Sequence, residues 1–104
     1  MDIKDLWISV NINFNENLES ANIARPGAWN DPDMLEVGNG GLSHAEELTH
    51  FALWAISKAP LIIGADLTTI SKESLDILKN KDLIDINQDP ESKQAVCVNG
   101  CKEW

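Results

Sequence analysis

Apolar residues recur along this chain in several distinct patterns, and each predicts a different element. After Ser43, the residues Leu48, Phe51, Ala52, Ala55, Ile56 and Ala59 fall on one stripe of helical period. Ser43 and Glu46 form a capping box ahead of that stripe and Pro60 closes it, so a helix is predicted there. Leu53 and Trp54 lie off the stripe, which predicts a second layer of protein over part of the other side. Leu61-Ile62-Ile63-Gly64 is a short unbroken apolar run, the pattern of a parallel strand buried on both faces. Ser71 caps a further helix carrying Leu75, Leu78 and Ile70. Leu83 and Ile84 form an apolar pair ahead of Asn87-Gln88-Asp89-Pro90, which reads as a boundary, and Gln94 to Val98 is compatible with the start of another strand.

Residues 3 to 18 fit two templates. Ile3, Leu6, Trp7, Val10, Phe14 and Leu18 share one helical face, whereas Ile8, Val10, Ile12 and Phe14 alternate strictly with Ser9, Asn11, Asn13 and Asn15 as in a half-buried strand. Propensity leans towards the strand, because asparagines and β-branched residues weaken a helix; Asp2 and Asp5 suit a helical first turn. Between Trp29 and Val37 a strand empties into a loop, giving the order helix or strand, strand, helix, strand, helix. Repeated βα units of an α/β fold are therefore expected.

The unusual chemistry is concentrated in Trp29-Asn30-Asp31-Pro32-Asp33-Met34. Pro32 fixes its own φ and pushes Asp31 out of the helical region, so two carboxylates are held in a defined relation beside apolar Trp29 and Met34. A plain surface turn is one reading of the tripeptide. An Asp-x-Asp metal clamp is another, but no histidine or further carboxylate cluster accompanies it. His44 and His50 fall on or near the polar side of the Ser43 helix and read as exposed surface histidines.

Composition narrows the function classes. The 104 residues allow at most one small domain, and 43% of them are hydrophobic, as in a globular protein. A formal net charge of -9 argues against nucleic acid and against anionic membrane surfaces, and suits an uncharged small-molecule substrate. No apolar run approaches a membrane span, and Met1-Asp2-Ile3-Lys4-Asp5 is not a signal peptide, so taken alone the chain reads as cytosolic. Cys97 and Cys101 enclose Val98-Asn99-Gly100, an Asn-Gly turn compatible with a disulfide or with two free thiols.

Three blocks then carry a resemblance. Trp29-Asn30-Asp31-Pro32-Asp33-Met34-Leu35-Glu36-Val37-Gly38-Asn39-Gly40-Gly41, then Ala52-Leu53-Trp54-Ala55-Ile56 with Lys58-Ala59-Pro60-Leu61, then Ile86-Asn87-Gln88-Asp89-Pro90 resemble the melibiase-type α-galactosidases of glycoside hydrolase family 27. Ala28 stands where that family usually has glycine. The resemblance implies a partial (β/α)8 barrel: residues 1-90 as its last two to three βα units, and residues 91-104 as the start of a C-terminal β domain or a tail. A complete barrel takes about 250 residues. It also favours a helix for residues 4 to 17.

Asp2-Ile3-Lys4-Asp5-Leu6-Trp7 resembles the family segment whose first aspartate is the general acid/base. The resemblance thus implies Asp2 as proton donor and Met34 as a residue lining the galactose pocket, with no cofactor and no metal. The implied activity is retaining hydrolysis of terminal α-galactosides, with an α-N-acetylgalactosaminidase or a non-catalytic barrel-assembly module as alternatives. The family's nucleophile lies in a Lys-x-Asp setting that this sequence does not contain, so the chain is expected to be inactive alone. The resemblance further implies a secreted, lysosomal or vacuolar full-length enzyme, and unpaired barrel edges imply self-association.

Overall fold

The computed structural model describes residues 2-98. Its regular elements are helices: α1 (Trp7–Leu18), a 3-10 turn at Ala21–Ile23, α2 (His44–Ile56), α3 (Lys72–Leu78) and α4 (Lys81–Asn87). The contest over residues 3 to 18 is decided for the helix. Burial follows Val10, Asn13, Phe14 and Asn17, a helical face, while Ile8 and Ile12 of the alternating pattern are exposed. The asparagines that weaken this helix intrinsically are used in its packing: Asn13 Nδ2 donates to the Pro32 carbonyl at 3.0 Å.

The predicted capping box of α2 forms in full: Glu46 N–H donates to Ser43 Oγ (3.2 Å) and Ser43 N–H to Glu46 Oε1 (2.9 Å). Ser71 caps α3 through Ser74 N–H at 3.1 Å. α4 was not expected from the sequence. It is capped by Asn80, and its apolar side is only Leu83 and Ile84, completed by buried Asn87. The Asn87 amide donates to the Ala59 carbonyl at 2.9 Å and approaches those of Trp54 and Ala55, satisfying acceptors that the end of α2 leaves open.

The strands expected at 29-37 and 61-64 are corrected. Among the described residues no strand is formed; the two extended segments meet in one parallel bridge, Leu35 with Ile63. Leu35 N–H donates to the Ile62 carbonyl (2.8 Å) and Gly64 N–H to the Leu35 carbonyl (2.9 Å). The physical reason is local. Pro32 has no N–H to give, Asp33 departs from extended geometry at φ 83°, and the 61-64 run finds a single neighbour rather than one on each side. Ile62 and Ile63, predicted to be buried on both faces, are exposed. The segment from Leu61 to Gly64 thus has the composition of a central strand and the surroundings of an edge.

α2 packs against α1, α3 and α4 and forms the centre of the molecule. Around it the core gathers Val10 and Phe14 from α1, Leu35, Val37 and Leu42 from the preceding segment, Phe51 and Trp54 from α2 itself, Ala59, and Ile77 and Leu78 from α3. Trp54, off the main stripe by sequence, is fully buried, as the expected second layer requires; Leu48, on the stripe, is exposed. The radius of gyration of 13.2 Å matches the roughly 13 Å of a compact chain of this length. The disulfide considered between Cys97 and Cys101 reaches beyond the described residues.

Candidate functional site

One carboxylate organises the surface that carries both sequence-predicted site residues. Asp33 Oδ2 accepts from the backbone N–H of Ile3 at 3.0 Å, and Asp33 Oδ1 accepts from the N–H of Met34 at 2.7 Å. The residue that follows Asp2 and the residue Met34 itself are therefore clamped by the same side chain. The Ile3 N–H, and after it the Met34 N–H, hold the Asp33 carboxyl below its usual range, because each bond favours the charged form. Asp33 pays for this position with a left-handed backbone, φ 83°, which aspartate tolerates better than most residues. That conformation is held from both sides: Asp33 N–H donates to Asp31 Oδ1 (2.9 Å), and the buried Trp54 indole N–H donates to the Asp33 carbonyl (2.8 Å).

A second tether fixes the same N-terminal segment. Asp5 Oδ2 accepts from Gly41 N–H at 2.6 Å. Here glycine is required by close approach: a Cβ on Gly41 would lie 2.1 Å from the Asp5 carbonyl oxygen. Asp2 and Met34 are both exposed, Met34 to 44%. Asp31 Oδ1 and both Asp33 carboxylate oxygens accept from backbone N–H groups.

The loop that follows is pinned to α2 by His50 and Glu47. His50, expected on the surface, is fully buried. Its Nε2 accepts from Glu36 N–H at 2.9 Å, and its ring meets Trp54 edge to face at 4.2 Å. Buried Glu47 accepts from Gly38 N–H and from Ser74 Oγ at 2.8 Å, joining the loop to α3. The error arose because one turn of polar residues on α2 was assigned to solvent, whereas the 36-41 loop folds over it. The one signal available was spacing: Glu47, His50 and Trp54 sit three and four residues apart on a single face.

Burial lowers the His50 pKa from 6.5 to about 4. The native state thus prefers the neutral ring, and the sign follows: stability from this group is complete above about pH 6.5 and is lost as pH falls towards 4. Protonation would set an Nε2–H against the Glu36 N–H. A shift of this size corresponds to roughly 3 kcal/mol. Urea midpoints are expected to be flat near neutrality and to fall between pH 6.5 and 4, and the His50→Gln variant should lose most of that slope; an unchanged slope in the variant would assign the acid sensitivity elsewhere.

A family model described as Melibiase_2, alpha galactosidase A, matches residues 1–89. The chain belongs to this family. An alpha-galactosidase of Oryza sativa subsp. japonica is 47% identical to the melibiase-family chain over 106 aligned positions, which cover 99% of this chain and 25% of that protein. Among solved structures, alpha-galactosidase I from Mortierella vinacea superposes with a TM-score of 0.82 at 42% identity, covering 88% of this chain and 23% of the other. The alfa-galactosidase of Saccharomyces cerevisiae solved with raffinose superposes with a TM-score of 0.82 at 39% identity, covering 84% and 19%. The chain thus spans about a quarter or less of the length of these relatives. None of its helices, among the described residues, is long and apolar enough to cross a membrane.

Proposed function

We propose that this segment is the acid/base side of a retaining α-galactosidase site, with Asp2 as proton donor and Met34 shaping the galactose pocket. Retaining hydrolysis pairs two carboxyl groups about 5 to 5.5 Å apart: one attacks the anomeric carbon, while the other protonates the leaving oxygen and then deprotonates the incoming water. Asp2 takes the second role. The nucleophile and the remaining hydroxyl-binding groups come from other segments of the barrel, so the 104 residues alone do not turn over substrate. The observation that supports the reading is the Asp33 clamp, whose carboxylate accepts from the N–H of Ile3, the residue after Asp2, and from the N–H of Met34, in a chain of this family.

The Leu35 and Ile63 bridge supports a barrel context. Residues from Trp29 to Leu35 and from Leu61 to Gly64 take the place of two successive barrel strands, and residues 91-104 lead towards a β domain. Exposed Ile62 and Ile63 are then the surface that further strands cover, and through which copies of the chain would associate. The proposed substrate is an α-linked galactoside, the class to which raffinose belongs, in a secreted, lysosomal or vacuolar enzyme.

A graft tests this. Residues 2-98 placed in the matching part of the Mortierella vinacea enzyme are expected to preserve hydrolysis of p-nitrophenyl α-D-galactopyranoside within roughly tenfold, about 1.4 kcal/mol of barrier. The 104-residue chain by itself should show none. A folded graft without activity, or turnover by the isolated chain, would contradict the proposal.

A further inference from the structure

A cleft of about 230 Å³ lies between the end of α2, the end of α4 and Trp29, and the clamp at Asp33 takes no part in it. The parallel bridge fixes its direction. Trp29 precedes Leu35, and Lys58 to Leu61 precede Ile63, so the cleft lies at the opposite end of both extended segments from Met34. An extended run from Trp29 to Met34 spans up to about 16 Å.

The wall is built from buried polar groups. Lys58 is 7% exposed, with a left-handed backbone at φ 55°, and its ammonium donates to the Ile86 carbonyl. An ammonium has three donors, and among the described residues the one ion pair is Lys81 with Asp85, so Lys58 has no carboxylate against it. Asn87, 8% exposed, turns its oxygen to Gln88 Nε2 at 2.6 Å, which leaves the Gln88 carbonyl oxygen as an acceptor. Asp89, whose Oδ1 takes the Glu91 N–H at 3.0 Å, and the Ser92 hydroxyl complete the rim, and the indole of Trp29 is 39% exposed.

The charges select the ligand. An anion would meet Lys58 but is opposed by Asp89 and by a net charge of -9; a cation would meet Asp89 but is opposed by Lys58. A neutral polyhydroxyl ring meets both, since each hydroxyl donates to a carboxylate and accepts from an ammonium, and its C–H face covers an indole. The volume is below the roughly 300 Å³ of pockets for drug-sized ligands, which fits a single ring. The geometry points to a monosaccharide-binding cleft formed by Trp29, Lys58, Gln88, Asp89 and Ser92, remote from the catalytic face.

The test is a titration of the ¹⁵N-labelled 104-residue chain with D-galactose, and separately with D-glucose, to roughly 100 mM, as a one-ring site of millimolar Kd requires. Saturable shifts are expected in the Trp29 indole N–H and the Gln88 and Ser92 amides. Trp29→Ala and Asp89→Asn, each checked for native circular dichroism, should weaken binding about tenfold and severalfold. Absence of saturable shifts, shifts confined to Ile3 and Met34, or unchanged affinity in folded Trp29→Ala would overturn the inference. Hydrolysis by the grafted enzyme is read separately, so failure of one claim is distinguishable from failure of the other.

Discussion

Replacing Trp54 by alanine is expected to lower the urea midpoint sharply and leave the native state with little stability in reserve. Trp54 is the largest fully buried side chain, at 0% exposure, and truncating a buried tryptophan costs about 3-5 kcal/mol in lost transfer energy and residual cavity. A domain of this size has about 5-15 kcal/mol in total. The indole also does two jobs at once: its ring seats His50, and its N–H holds the Asp33 carbonyl. Trp54→Phe separates these jobs. It keeps most of the apolar area and leaves the Asp33 carbonyl without its donor, for about 1-3 kcal/mol. Urea denaturation followed by circular dichroism gives both values; a Trp54→Ala chain within 1 kcal/mol of the wild type would remove Trp54 from the centre of the fold.

The pairing of Trp54 with Asp33 explains how the molecule connects stability to its candidate chemistry. A core side chain on α2 holds the strained residue, and that residue's carboxylate holds the Ile3 and Met34 backbone. Strain at φ 83° is kept in place by four hydrogen bonds to the residue, which tie the Ile3 and Met34 backbone to one carboxylate.

Parts of this were legible in the sequence because their determinants are local. The capping box at Ser43, the cap at Ser71 and the stop at Pro60 need only neighbours within four residues. The proposed roles of Asp2 and Met34 rest on family motifs alone. Asp33 stood in plain view beside Pro32, yet its partners lie 30 residues away at Ile3 and 21 away at Trp54, and no local pattern reports them. His50 was misread for the same reason, since the loop covering it is set by Glu36, Gly38 and Glu47 together. The run Leu61 to Gly64 was read correctly as extended and wrongly as a buried strand, because burial depends on neighbouring strands that no property of the run itself specifies. α4 was missed because two apolar residues and an asparagine make too narrow a stripe to register.

The assignment of Asp2 has the second large expected effect. General acid/base catalysis contributes typically 10²- to 10⁴-fold, so Asp2→Asn in the grafted α-galactosidase should lower kcat on an alkyl α-galactoside by about that factor. Much less should be lost in the first step with a dinitrophenyl galactoside, whose leaving group departs without a proton. Azide needs no base to attack the glycosyl-enzyme, so it should restore turnover and yield a galactosyl azide. The decisive measurement is therefore kcat of the Asp2→Asn graft on the dinitrophenyl galactoside, where breakdown of the glycosyl-enzyme limits turnover, with and without azide: a loss of roughly 10²-fold or more that azide reverses is predicted, and activity within a few-fold of the unsubstituted graft, or a loss that azide leaves untouched on this substrate, would contradict Asp2 as the acid/base.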